Sequence, residues 1–387
     1  MKIALYHNLP SGGALRVLES WLRLSRAGHH VELFLPETAN DDFVPLSPYA
    51  TATHRFPAPA VRGKLGNFTQ LPEIDRMGKV IATAIDGGGF DAVYACASQL
   101  TQAAEILPHL RTPSLYYGPE HFRALYDRSV VRSSGTALVK QVILAPRRRW
   151  LKRFDRQAIR SADRVMAHSK FSAGILNQIY GVTADVVYLG VDSDQYRPGP
   201  PTRQPFVLSV GALAPVKGHQ FVIESLGTVR KDQRPALTVI GDRGEYGEDL
   251  KRLAQTADVE LTLKQGIPFP EVVELYGHAT VLAAGQYQEP FGLITLEAMA
   301  SQTPVVAVRE GGLAETVTDN QTGLLTPRNP QAFGKAIRSV MDDPQLAAAL
   351  GKAGRKDVET RWQWQATADK VDALLEQIAE EGPRSNG

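Results

Sequence analysis

Cysteine is nearly absent from this chain: Cys96 is the only one among 387 residues. That excludes a disulfide framework and a cysteine-rich metal site, and it fits a reducing compartment. An excess of charge of one sign is missing too. Lys and Arg total 43 against 41 Asp and Glu, for a formal net charge of +2, so no global field draws the protein to nucleic acid. No apolar run approaches the roughly 18 to 20 residues that span a bilayer. The opening "MKIALYHN" reads as a strand, without the apolar stretch or small-residue cleavage site of a signal peptide. The expectation is a cytoplasmic protein, peripheral to a membrane at most. Dinucleotide fingerprints are lacking as well: the loops "LPSGGALR" and "RGEYG" match neither G-x-G-x-x-G nor a P-loop, which argues against a nicotinamide or flavin enzyme.

What is present is length, apolar content and alternation. A chain of 387 residues, 43% of them hydrophobic, predicts two domains with substantial cores. The first half alternates strand-like runs ("KIALYHN", "VELFLP", "DAVYACA", "SLYYG") with helical patterns at 12–28, 71–86 and 99–110. The second half repeats the theme: "FVLSVG", helix 217–230, "ALTVIGD", helix 246–257, "VELTLKQ", helix 270–278, "ATVLAAG", helix 293–301, "PVVAV" and "GLLTP". Such alternation marks βαβ units on parallel sheets. Pro198, Pro200, Pro201 and Pro205 exclude a helix or central strand between the halves, so the linker is placed there. The expected fold is α/β: two Rossmann-like parallel-sheet domains facing across a cleft, each binding ligand beyond the carboxyl ends of its strands.

The stretch "QYQEPFGLITLEAMA", residues 286–300, carries two glutamates eight positions apart. Pro290 and Gly292 keep Glu289 off a helix, whereas "LITLEAMA" favours one, so Glu289 belongs to a loop and Glu297 to the early part of a helix. Between them lie the amides of Phe291, Gly292 and Leu293 at the positive end of that helix, where an anion such as a diphosphate is stabilised. The carboxylates would repel phosphate but accept hydrogen bonds from sugar hydroxyls. Lys217, after the strand ending at Gly211 in "SVGALAPVKG", adds an ammonium on the same rim, a phosphate-ligand candidate. Gly12-Gly13 reads equally as a tight βα turn or as a place where backbone amides meet a ligand.

Together these pieces resemble glycosyltransferase family 4, whose members have the two-domain GT-B fold. Residues 203–330 carry the specific likeness: "SVGALAPVKG", "LTVIGD", "QGIPFPEVVELYGHATVLAA", "QEPFGLITLEAMASQTPVVAV", "GGLAETV" and "TGLLTP". The first half matches more weakly, through "SGGALRVLESWLRLSRAGHHVELF", "SADRVMAHSKFSAGILNQIYGV" and "YLGVDSDQYRP". The resemblance implies retaining sugar transfer from a nucleotide-sugar co-substrate, with no metal or other cofactor. The acceptor would be a carbohydrate, lipid-linked or small molecule. It implies an acceptor domain at 1–195, a donor domain at 200–365, and a final helix within 366–387 that packs back on the first domain. By the family's pattern Glu297 meets the ribose hydroxyls, and Glu289 with the Phe291–Leu293 amides meets the sugar and diphosphate. Lys217 and Gly13 approach the phosphates, and Gly211 and Ile267, the latter in "QGIPFPEV", line the nucleotide.

The chain departs from the family at two points. Relatives carry an arginine where this chain has Ala212, and Arg243 in "GDRGEYG" is the proposed substitute, against the alternative of a solvated loop arginine. Relatives also present a histidine at the position of Pro119; His121, two residues later, either takes that role or is an ordinary hydrogen-bonded side chain. Asp192-Ser193-Asp194 mimics a metal-binding D-x-D but sits where Asp and Ser suit a turn. Independently of the family, "PRRRWLKRFDRQAIR" at 146–160 is a basic amphipathic pattern. It reads either as a helix packing on its sheet or as a contact for anionic lipid. Two rivals stay open at this level: a nucleotide-sugar epimerase of the same architecture and a non-catalytic glycan-binding relative.

Overall fold

A computed structural model describes residues 1–9, 13–40, 42, 44–59, 70–127, 138–200, 202–242, 244 and 246–382, with backbone only for 138–144 and 147. The chain divides into two units, Met1–Tyr188 with Gln365–Gly387, and Leu189–Trp364. The division precedes the proline-rich stretch because the chain from Leu189 onward is already tied into the second unit. Leu189 and Val191 are buried, the Val191 N–H donates to Trp362 O, and Arg355 donates to the carbonyls of Ser193 and Tyr196.

In the first unit, strands β1 (Lys2–Asn8), β2 (His30–Pro36), β3 (Ala52–Phe56), β4 (Ala92–Ser98), β5 (Ser114–Tyr117), β6 (Arg164–Ala167) and β7 (Ala184–Val186) form one sheet. Its order is β3-β2-β1-β4-β5-β6-β7, and every pairing is parallel. The helices are α1 (Gly13–Leu24), α2 (Leu71–Asp86), α3 (Arg123–Tyr126), α4 (Leu138–Ser161) and α5 (Lys170–Tyr180). The central strands are buried along their whole length, as parallel strands covered on both faces must be. One expected helix does not form. Residues 99–110 fold instead as turns and a short 3-10 segment at Leu107–His109. Gln102 adopts a left-handed conformation, φ 69°, and pairs with Ser98 in a backbone bridge, which interrupts any helical ladder.

The second unit contains β8 (Gln204–Val210), β9 (Ala236–Gly241), β10 (Leu261–Gln265), β11 (Ala279–Ala284), β12 (Val305–Val308) and β13 (Leu324–Thr326). The strand order is β10-β9-β8-β11-β12-β13, again all parallel. Helices α6 (His219–Gly227), α7 (Tyr246–Thr256), α8 (Phe269–His278), α9 (Leu293–Ala300), α10 (Leu313–Thr316), α11 (Pro330–Asp342) and α12 (Pro344–Arg361) flank the sheet. Both sheets reverse direction of growth between their first and fourth strands. By the rule for open α/β sheets, the crevice outside the carboxyl ends at that point is where a ligand binds.

Helix α13 (Trp364–Glu381) belongs to the first unit. Its Asp372 is buried and accepts hydrogen bonds from Trp21 Nε1 at 2.7 Å and Ser25 Oγ at 2.9 Å, with His29 Nε2 at 3.3 Å. A buried carboxylate is tolerable there because its oxygens are hydrogen-bonded. No helix among the described residues is long and apolar enough to cross a membrane.

Candidate active site

In the second unit the reversal point lies between β8 and β11, and the loops leaving these strands touch. A β-carbon on Gly218 (φ 70°) would lie 1.9 Å from the carbonyl oxygen of Gly285, so glycine is required for the approach. The Tyr287 N–H donates to Val216 O at 2.9 Å, and Gln286 Nε2 donates to Val210 O. Lys217 closes the 3-10 turn Pro215–Lys217, ahead of α6 rather than at its start. Its Nζ lies 2.9 Å and 3.3 Å from the two carboxylate oxygens of Glu289.

Glu289 is held from behind by the loop after β12. The Gly312 N–H donates to Glu289 O at 2.7 Å, and a β-carbon on Gly311 (φ 57°) would lie 2.4 Å from that oxygen. Phe291 turns inward against the Trp362 ring, 5.7 Å between centroids, and anchors the turn. Gly292 then takes φ 98° as the N-cap of α9, which begins at Leu293, and glycine brings no side chain of its own to cap the helix. Such a helix start is a place for an anion. Glu297 lies four residues on and is 9% exposed. The fully buried Tyr276 of α8 donates its hydroxyl to Glu297 Oε2 at 2.6 Å, which fixes the orientation of the carboxylate. Nothing in the sequence around Tyr276 distinguishes it from an ordinary core tyrosine.

Arg328, after β13, likewise belongs to no motif that marks it in the sequence. Its guanidinium forks onto both Glu310 oxygens and donates to the carbonyls of Gly285 and Gln286. The loops after β11, β12 and β13 are thereby tied together. Those bonds commit Arg328 to the scaffold. Ala212 is exposed, and Arg243, the proposed substitute for the family arginine, lies outside the described residues. Ile267 sits half-buried between β10 and α8. His219, buried under Gly211, bonds Ser209 Oγ and the Gly211 carbonyl, and burial lowers its pKa.

The first unit places its polar residues differently. At the carboxyl ends of β1 and β4, Glu105 is fully buried and accepts from the hydroxyls of Tyr6 and Ser98, and Ser98 in turn accepts from Asn8 Nδ2 at 3.2 Å. Burial raises the Glu105 pKa. Gly13 opens α1, and a β-carbon there would meet no atom of the described residues within 4 Å. His121 follows β5, 7% exposed, its Nε2 2.6 Å from Asp127 Oδ1. His168, at the end of β6, is kept neutral by burial, its pKa lowered to about 3.

Helix α4 resolves the basic stretch by face. Leu151, Phe154, Ala158 and Ile159 are buried in the core, whereas Arg149, Arg153, Arg156 and Arg160 are exposed. Asp192 caps its own turn, accepting from the amides of Asp194 and Gln195. No group of His, Cys, Asp and Glu that could hold a metal occurs among the described residues.

Comparison with known proteins agrees with this architecture. The model of the family described as glycosyl transferases group 1 matches residues 192–357, and that of the glycosyl transferase 4-like domain matches residues 11–191. A GDP-mannose-dependent alpha-(1-6)-phosphatidylinositol monomannoside mannosyltransferase of Mycobacterium tuberculosis is 32% identical over 230 residues, 54% of this chain and 60% of that protein. A D-inositol 3-phosphate glycosyltransferase of Segniliparus rotundus is 31% identical over 234 residues, 55% of this chain and 52% of that one. The chain thus spans between half and three fifths of these curated relatives. Among solved structures, sucrose-phosphate synthase of Thermosynechococcus elongatus superposes with a TM-score of 0.76 at 23% identity, covering 98% of this chain and 100% of its own. Anabaena HepE in complex with UDP-glucose gives 0.72 at 19%, covering 97% and 100%.

Proposed function

We propose that this chain, which belongs to the family 4-like glycosyltransferases of the GT-B fold, moves a hexosyl group from a nucleotide sugar to an acceptor hydroxyl with retention of configuration. The observation that carries the reading is the constellation at the β8/β11 reversal point: Lys217 on Glu289, the glycine-capped start of α9, and Glu297 held by Tyr276. Lys217 and the α9 amides take the diphosphate, Glu289 the sugar hydroxyls, and Glu297 the ribose hydroxyls. In the transfer step the acceptor oxygen bonds to the anomeric carbon as the bond from that carbon to the phosphate oxygen breaks. The electron pair stays on the departing phosphate oxygen, which takes the acceptor's proton. Negative charge grows on the diphosphate, and preorganised cations and amides stabilise such charge most effectively.

The Met1–Tyr188 unit, with His121 on its rim, is assigned to the acceptor. The protein works in the cytoplasm, with contact to an anionic membrane face supported by the exposed arginines of α4. That contact is electrostatic, since the apolar residues of the helix are inside the core. The test is incubation with UDP-, GDP-, ADP- and dTDP-hexoses, beginning with GDP-mannose because the mycobacterial relative is GDP-mannose-dependent. Release of nucleoside diphosphate, accelerated by an acceptor, is expected. An isomerised sugar would indicate an epimerase instead, and carbohydrate binding without turnover a scaffold.

A further inference from the structure

We infer that the Lys217–Glu289 ion pair makes the protein prefer a sugar-bearing nucleotide to the bare nucleoside diphosphate, and so drives product release. The inference rests on the donor-site reading above. The ammonium lies within hydrogen-bonding distance of both carboxylate oxygens, 2.9 Å and 3.3 Å, with the side chains 31% and 17% exposed. Neither partner can retreat far, because both backbones are fastened. Gly218 abuts Gly285, Tyr287 N–H holds Val216 O, and Gly312 N–H holds Glu289 O. An anion that draws on Lys217 therefore stays within range of the Glu289 charge.

The two ligands meet this pair differently. A nucleoside diphosphate sugar exchanges both halves at once: its diphosphate replaces the carboxylate at Lys217, and its sugar hydroxyls replace the ammonium at Glu289. A bare nucleoside diphosphate ends in a phosphate carrying up to two charges and brings no hydroxyl there. It takes Lys217 and leaves Glu289 facing a like charge in a partly desolvated place. Arg328 does not relieve the repulsion, since its guanidinium is bonded to Glu310 and to the Gly285 and Gln286 carbonyls. Once the sugar has left, re-forming the ion pair competes with the diphosphate for Lys217.

The experiment is calorimetric titration of wild type, Glu289→Gln, Lys217→Met and the double variant. The ligands are bare nucleoside diphosphate and its hexose derivative, using the base that raises the wild-type melting temperature. Glu289→Gln should bind the bare diphosphate roughly threefold or more tightly, while its preference for the sugar-bearing form falls about tenfold. The gain should vanish when Lys217 is Met. Folding is followed by thermal melting, and Glu289→Ala, expected to shift in the same direction, replaces Glu289→Gln if that variant does not fold. Unchanged or weaker binding of the bare diphosphate, with wild type still binding nucleotide, overturns the inference alone. A wild type that binds no nucleotide of any base overturns the donor-site reading with it.

Discussion

The two sheets share the order of their first six strands, yet their reversal points are furnished in opposite ways. In the first unit the point between β1 and β4 is occupied by Tyr6, Asn8, Ser98 and Glu105, buried and bonded to one another. In the second, the point between β8 and β11 carries an ammonium and a carboxylate that remain partly exposed. Topology makes a crevice in both. Whether it becomes a packed polar hub or a ligand-ready rim depends on the side chains placed there. The hub should therefore govern stability and the rim activity, and the following substitutions press on that contrast.

Lys217→Ala should have the largest effect, lowering turnover by about 100- to 1,000-fold, as loss of a charge-stabilising group does. Its denaturant midpoint should hardly change, and comparable loss of stability would break the contrast. Glu105→Ala should do the reverse. It leaves the Tyr6 and Ser98 hydroxyls without their acceptor beside a cavity, at a cost of about 4 kcal/mol in unfolding free energy. Nucleotide affinity of the folded protein should stay the same.

Asp155 tests the first unit by pH. It is fully buried and bonded to the Tyr180 hydroxyl. Burial raises its pKa from 3.8 to about 6, against the opposing hydrogen bond of Tyr180 and the charge of Arg156. A raised folded-state pKa contributes stability that is complete below pH 3.8 and is lost as pH rises through about 6. Asp155→Asn, which cannot ionise, should therefore gain on wild type by up to about 3 kcal/mol across that window. Parallel stability curves would show that the buried carboxyl does not titrate there.

Tyr276→Phe removes one hydroxyl from the second unit. The donor KM should rise about tenfold, consistent with a hydrogen bond to a charged group, with kcat little changed. A thermal shift without a change in KM would make Tyr276 a packing residue only. The smallest effect is expected from replacing Arg149, Arg153 and Arg156 by Ser. Sedimentation with anionic vesicles should fall, and the difference should shrink as salt rises. Equal sedimentation at low salt would leave α4 as a packing helix.

Much of this arrangement was legible beforehand. Parallel sheets follow from the alternation of apolar runs with helical periods, and the helix start at Leu293 follows from "EPFGLITLEAMA". The segment 99–110, helical by pattern but folded as turns, shows where pattern fails. Local propensity there is overridden by a left-handed Gln102 and by the burial of Glu105. Tyr276, Arg328 and Asp372 were not legible as participants. Each acts on a partner far along the chain, Tyr276 on Glu297, Arg328 on Gly285 and Asp372 on Trp21.

Periodicity, breakers and charge are local quantities, and they are what the amino-acid order determines directly: the two α/β halves, the loop position of Glu289 and the helical position of Glu297. Contacts between loops are not local. Only the folded chain decides that Gly218 meets Gly285, that Gly311 and Gly312 close on Glu289, and that Lys217 consequently rests on its carboxylate. The physical reason is that a parallel sheet gathers the carboxyl ends of strands distant in sequence onto one rim. Close packing there, rather than the preference of any single residue, sets which side chains touch.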